Sequence, residues 1–275
     1  MESVMDRYAL KGKVVIITGG CGLLGRKHAE AVMEAGGTAV LWDIIPNADD
    51  VARGLGESHE GRCSGARVDI TDRASIEQAF AEVLSAHGGV HGLINNAAND
   101  PKVDASKGFS WSRFENFALD MWNSDIAVGL TGAFLCAQVI GSHMAENGGG
   151  SILNIASDLG VIAPDQRIYR QEGLDEKEQP VKPVTYSIVK HGLMGLTKYM
   201  ATYWAQKGVR VNSLAPGGVY AGQPDDFVGR LTNLIPMGRM AAVDEYKGAV
   251  LFLISDASSY MTGANLSVDG GRTCW

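Results

Sequence analysis

Cysteine is scarce in this 275-residue chain: Cys21, Cys63, Cys136 and Cys274 are scattered, with no C-x-x-C pair. That scatter argues against a disulfide framework and against a thiolate zinc site, leaving buried or surface thiols. The six histidines (His28, His59, His87, His91, His143 and His191) show no H-E-x-x-H or comparable ligand spacing, so no metal is expected. Long apolar runs are missing too. Val14 to Ile17 and Ala249 to Ile254 fall far short of the roughly 20 residues a bilayer requires, and Met1 to Leu10 has no signal-peptide core. A cytoplasmic protein with no membrane partner is the expectation. Positive charge is in deficit: the net charge is −7 and the pI near 5.4, without the clustered Lys and Arg that nucleic acid or an anionic membrane requires. No composition break or linker divides the chain. With 45% hydrophobic residues it can bury one large core, and residues 1–275 are expected to form one α/β domain.

What is present follows a strand-then-helix rhythm. Lys13 to Thr18 is a β-branched run that suits a strand buried on both faces, and Thr18-Gly-Gly-Cys-Gly-Leu-Leu-Gly25 leads from it into a helical pattern over Arg26 to Ala35. A strand, a Gly-rich turn and a helix N-terminus together make an anion site, because free backbone N–H groups and the helix dipole point at one spot. Thr18, Gly19, Gly22, Leu23, Leu24 and Gly25 are therefore candidate cofactor contacts, although such a turn can also be plain strand-to-helix geometry.

The second strand, Thr38 to Asp43, ends in an acid that can accept both ribose hydroxyls of an adenosine and repel a 2′-phosphate. NAD is thus favoured over NADP, with Asp43 and the following Ile44 at the adenosine end. The alternative for Asp43 is a helix cap. Ala66 to Asp72 is read as the third strand running into a capped helix, with Asp69 and Ile70 flanking the adenine. Asn95, Asn96, Ala97 and Ala98 leave the fourth strand, where Asn95 and Asn96 are expected to hold backbone that lines the cofactor, with plain turn residues as the alternative, and Asn95 and Ala97 are candidate cofactor contacts. A long helical pattern from Leu119 to about Glu146 ends at Gly148 to Gly150, and Ser151 to Ser157 is the fifth strand.

An unusually long connection, Asp158 to Pro183, carries Asp165, Gln166, Arg167, Tyr169, Arg170, Lys177 and Lys182, and its anchors beside Ser157 and Tyr186 predict a substrate lid. Within it Arg167 and Tyr169 are candidate substrate contacts, as are Asp100 and Lys102 upstream. Gly208 to Leu214 is a sixth strand leading to Pro216, Gly217 and Val219. Ala221 to Met240 is read as mobile, and a helix over Val243 to Ser255 precedes the strand Asn265 to Val268. The alternation specifies a doubly wound parallel sheet flanked by helices.

Tyr186 and Lys190 are four apart, one helical turn above each other on one face. A cation near a phenol of ordinary pKa about 10 favours the phenolate and makes the pair competent for proton transfer. Any amphipathic helix can carry such a pair; here a Gly-rich turn, an Asn-Asn-Ala-Ala run and Ser157 precede it in the order a hydride-transfer enzyme needs.

On these residues, from Leu10 to Gly271, the chain resembles the short-chain dehydrogenase/reductase family. The motifs that carry the resemblance are Thr18 to Gly25, Asp43, Asp69, Asn95 to Ala98, Ser157, Tyr186 to Lys190, Pro216-Gly217 and Thr262 to Gly271. The resemblance implies a single-domain Rossmann-type fold and a nicotinamide enzyme. In it Tyr186 is the acid/base, Lys190 holds the nicotinamide ribose and lowers the Tyr pKa, and Ser157 hydrogen-bonds the substrate oxygen. It also implies a homo-oligomer, dimer or tetramer, in whose interface the tail Arg272 to Trp275 could sit.

Three departures stand out. Gly129 occupies the place of the family's Asn in the helix before strand five, with Asp125 one turn earlier as the candidate to replace its water relay. Chain is inserted between Ser157 and Tyr186. Ala221 replaces a Thr that often contacts the carboxamide. The segments Asn95 to Val103, Val128 to Phe134, Ala163 to Tyr169 and Lys182 to Lys190 further resemble a bacterial subgroup of flagellin-glycan and nonulosonic-acid (legionaminic-type) sugar synthesis. The expected activity is NAD-dependent interconversion of a secondary alcohol and a ketone on a small polar substrate, a sugar or sugar phosphate. The alternatives are a reductase of a keto-acid or apolar alcohol and a nucleotide-binding regulator without turnover.

Overall fold

The computed structural model describes residues 3–99 and 108–275. Seven parallel strands form one sheet in the order β3-β2-β1-β4-β5-β6-β7. They are β1 (Val14–Thr18), β2 (Thr38–Asp43), β3 (Cys63–Arg67), β4 (Gly92–Asn95), β5 (Gly150–Ile155), β6 (Val209–Pro216) and β7 (Asn265–Val268). Between them run α1 (Leu23–Glu34), α2 (Ala48–Gly56), α3 (Arg73–His87), α4 (Leu119–Glu146), α5 (Val184–Tyr203), α6 (Asp225–Thr232) and α7 (Lys247–Ile254).

Both faces of the sheet are covered, which is why its central strands read as unbroken apolar runs. Along β1 the side chains alternate: Val14 and Ile16 join Trp42, Phe80, Ile140 and Met144 on the face of α3, α4 and α5, whereas Val15 and Ile17 join Val32, Leu41, Val250 and Leu253 on the face of α1, α2 and α7. Burial of each such side chain contributes roughly 1.5–3 kcal/mol. Strand order reverses between β1 and β4, and at that switch point the carboxyl ends of the strands leave a crevice outside the sheet.

Four expectations change. β3 starts at Cys63 and ends at Arg67, so Asp69 and Ile70 lie past the strand, in the loop that Asp72 closes by capping α3 through the Ala74 N–H. The segment read as mobile, Ala221 to Met240, carries α6, whose Leu231 packs with Ile168, Ile235 and Met240 in a small separate core. The closing helix is shorter than expected, Lys247–Ile254. And α4 is, by length and composition, apolar enough to cross a bilayer. Its Cys136, Ile140 and Met144 are instead fully buried against the sheet. Two π-helical stretches, Ala127–Thr131 and Ala137–Gly141, interrupt its α-helical hydrogen bonding.

Candidate active site

The glycine turn is sterically determined. Gly19 has φ +59, and a Cβ there would stand 2.8 Å from the Ala97 Cα. A Cβ on Gly25 would stand 2.3 Å from the Gly19 carbonyl oxygen, so only glycine lets α1 seat on the turn. Thr18 at the end of β1 accepts the N–H groups of Asn96 and Ala97 (both 3.1 Å), tying β1 to β4 at the switch point. Gly22 caps α1 without a side-chain hydrogen bond, which leaves the first N–H groups of the helix open to a ligand. This open cradle fits a pyrophosphate.

Beside it lies a cavity of about 580 Å³ lined by Gly19, Gly22, Trp42, Asp43, Ile44, Asp69, Ile70 and Ala97, among others. Its dimensions and lining fit an adenosine. Asp43 accepts from the Cys21 N–H (3.0 Å) and the Ile45 N–H (3.4 Å), which hold its carboxylate at the rim. Burial and that carboxylate push the Cys21 thiol up to about 11, so it stays protonated. Asp69 accepts from the Thr71 N–H and hydroxyl (2.9 and 2.6 Å), which stiffens the loop below Ile70. A Cβ on Gly132 would press within 2.7 Å of Ile70, which fixes how closely α4 approaches.

A second cavity, about 500 Å³, opens on the other side of Asn96 and Ala98, which line both. Ser157, Tyr186 and Lys190 all line it, with Leu23, Leu24, Pro216, Gly217, Val219 and Ala221. Lys190 is buried and donates from Nζ to the Ile155 carbonyl at 2.7 Å, which pins the ammonium at the end of β5. Its Nζ is 5.7 Å from the centroid of the Tyr186 ring, and Lys182 Nζ lies over the same ring at 3.8 Å. Ser157 donates to Asp158 Oδ1 at 2.7 Å and accepts from the Leu159 N–H. Burial raises the Asp158 carboxyl above the usual range, opposed by the hydrogen bonds of Ser157 and Leu159 and by Arg272.

Several sequence expectations land elsewhere. The Asn95 side chain points into the core, donating to Asn154 Oδ1 at 2.9 Å, and it lines neither cavity. Asn96 alone keeps the role expected of the pair, holding backbone at the crevice: its amide donates to the Thr18 and Gly19 carbonyls at 3.1 and 3.0 Å. The period-two alternation of the strand carries the distinction, because Asn95 is the last residue of β4 and Asn96 the first beyond it. Arg167 is clamped by Asp165 (2.9 and 2.6 Å), is 83% exposed, and does not line the cavity. That clamp drives the Asp165 carboxyl down to about 2. Arg170 pairs with Glu176 on the surface.

Tyr169 does line the cavity, packed on Phe227 at 5.7 Å. Asp100 and Lys102 lie outside the described residues. Asp125 is buried, but its hydrogen-bond partner is the Thr185 hydroxyl at 2.5 Å, so it anchors the first turn of α5. The Asn place is closed: a Cβ on Gly129 would lie 2.6 Å from Val189 Cγ1. Lys182, Asp158 and Arg272 were missed as cavity residues. Lys182 lies two residues before the start of α5 and Asp158 directly follows Ser157, so nearness in sequence was their one signal, whereas Arg272 carries none.

Residues 13–169 match the short chain dehydrogenase family and residues 176–273 the enoyl-(acyl carrier protein) reductase family that continues it. The chain belongs to the short-chain dehydrogenase/reductase family. It is similar to a D-threitol dehydrogenase of Mycolicibacterium smegmatis (33% identical, covering 98% of this chain and 96% of that protein). It is also similar to an NAD-dependent glycerol dehydrogenase of Listeria innocua (32%, 97% and 96%). Among solved structures, a gluconate 5-dehydrogenase of Burkholderia cenocepacia in complex with NADP and tartrate superposes with a TM-score of 0.83 at 28% identity, covering 99% of this chain and 100% of that one. The protein is accordingly an oxidoreductase that acts on alcohol groups with a nicotinamide cofactor.

Proposed function

We propose that this enzyme interconverts a secondary alcohol and its ketone on a small polyhydroxylated substrate, with NAD preferred to NADP and Tyr186 as the acid/base. The observation that carries the reading is the convergence of Ser157, Tyr186 and Lys190 on one cavity that meets the cofactor cradle at Asn96 and Ala98. A bound nicotinamide supplies the hydride acceptor. Tyr186 takes the hydroxyl proton, Ser157 hydrogen-bonds the same oxygen, and Lys190, fixed by the Ile155 carbonyl, holds the nicotinamide ribose. Lys182, over the Tyr186 ring, adds a second positive charge beside the developing phenolate.

Asp43 supports NAD. Among the described residues no Lys or Arg lines the adenosine cavity, while a carboxylate does, and a 2′-phosphate there would meet like charge. Polyol substrates find support in the threitol and glycerol dehydrogenases. The legionaminic-type resemblance supports the same hydroxyl-rich class, since a sugar of that pathway offers secondary alcohols too. Exposed Phe134, Ile188, Tyr199 and Tyr203 on α4 and α5 support a homo-oligomer built on that face, which sedimentation can test. The activity is tested by incubating the protein with C4 to C6 polyols and sugars and either cofactor while following nicotinamide absorbance.

A further inference from the structure

Arg272 has no role in the reading above, yet among the described residues it is the one arginine lining the cavity that holds Ser157 and Tyr186. It is 7% exposed, and its Nε is buried without a hydrogen-bond partner. Asp158 and Asp165 act on it through space, not through a hydrogen bond. The turn that aims it is rigid. Asp269 accepts the N–H groups of Gly271 and Thr273 at 2.9 and 3.0 Å, its carbonyl accepts from the Arg272 N–H at 3.2 Å, and Trp275 Nε1 donates to the Leu234 carbonyl at 3.1 Å.

A guanidinium removed from water with an open fork is costly unless an acceptor completes it, and the acceptor that matches its geometry is a planar oxyanion bound through two parallel N–H···O bonds. Lys182 and Lys190 add positive charge to the same wall. Asp158 and Asp165 set the limit: a dianion would meet two carboxylates, whereas a single negative charge is balanced. The loop arginines do not compete, since Arg167 and Arg170 are already paired at the surface.

We propose that Arg272 is a specificity residue that binds a substrate carboxylate, so that the preferred substrate is a hydroxy acid of the polyhydroxylated class, such as an aldonate. This rests on the dehydrogenase reading above. The reaction balances as hydroxy acid plus NAD⁺ giving keto acid, NADH and a proton, and the carboxylate itself takes no part.

The test pairs each acid with its neutral counterpart, threonate with threitol and gluconate with sorbitol, and adds sorbitol 6-phosphate, for the wild type, Arg272→Gln and Arg272→Lys. The wild type should favour acid over polyol in kcat/KM by tenfold or more. Arg272→Gln should cut that ratio at least tenfold, chiefly through KM, and Arg272→Lys should fall between, because an ammonium cannot bind bidentately. An unchanged ratio in Arg272→Gln, with melting temperature and NAD affinity intact, overturns the proposal. So does an Arg272-dependent preference for the phosphate over gluconate, which would make the anion a phosphate. Should no compound be oxidised, the dehydrogenase reading is what fails. The anion site is then read by calorimetry of gluconate binding to the protein with NAD: binding lost in Arg272→Gln upholds it, and equal or absent binding in both proteins overturns it.

Discussion

Lys182 Nζ lies 3.8 Å from the centroid of the Tyr186 ring, closer than Lys190 Nζ at 5.7 Å. Lys190 arrives from the same helix one turn on, but Lys182 comes from the end of the inserted chain, so the insertion reaches the proposed acid/base directly. Both ammoniums thus face the Tyr186 ring, in the arrangement a cation–π contact takes. Tyr186→Phe should therefore abolish turnover and leave NAD affinity within a few-fold, because only the proton-transfer group is removed. Lys182→Met should lower kcat with little change in NAD binding, whereas Lys190→Met should damage both. Single-turnover kinetics with calorimetric NAD titration separate the three.

Cofactor preference should follow Asp43. Its carboxylate lines the cavity proposed for the adenosine, and each charge-assisted bond it would make to a ribose hydroxyl contributes roughly 1.5–3 kcal/mol. Asp43→Ala should weaken NAD binding and relax the exclusion of NADP, measured as kcat/KM with each cofactor. A wild type that prefers NADP would refute this.

Gly129 cannot be returned to the family's Asn without loss. Val189 is β-branched and stiff, and the added Cβ would lie 2.6 Å from its Cγ1. Gly129→Ala should destabilise the fold by about 1–3 kcal/mol through overpacking, and Gly129→Asn by at least as much. Thermal melts of the two, alone and with Val189→Ala to make room, check this, and the double variants should recover.

Acid should destabilise the protein through His28. Burial holds its imidazole down to about 4, against an ordinary 6.5, and neither ring nitrogen has a partner within hydrogen-bonding geometry, although the Asn96 side chain lies close enough to favour the charged form somewhat. The folded state keeps this ring neutral while the unfolded chain protonates it, so the stabilisation is complete above pH 6.5 and is lost as pH falls from 6.5 towards 4. The loss amounts to roughly 3 kcal/mol. Denaturant midpoints across that range should fall in the wild type and fall less steeply in His28→Leu.

Much of this was legible in the sequence, for identifiable reasons. The β2 and β7 boundaries were read correctly, and the Gly turn, Ser157, Tyr186 and Lys190, picked out by spacing and by the family resemblance, do line the two cavities. What was missed depends on tertiary placement. Arg272 lies in the tail, and only the Asp269 turn brings it back to Ser157; Arg167 was chosen for its place in the loop, but its partner Asp165 is two residues away and local pairing wins. Asn95 and Asn96 are indistinguishable by composition, and a one-residue step in the pleat decides which faces the core.

The most direct measurement is the oxidation of threitol and gluconate by the wild type and by Tyr186→Phe, with NAD and with NADP, followed by nicotinamide absorbance and by product analysis. The account predicts one ketone formed per nicotinamide reduced, faster with NAD, and no turnover in Tyr186→Phe. NAD binding without reduction by any polyol or sugar acid in the wild type would contradict it and identify a nucleotide-binding protein without turnover.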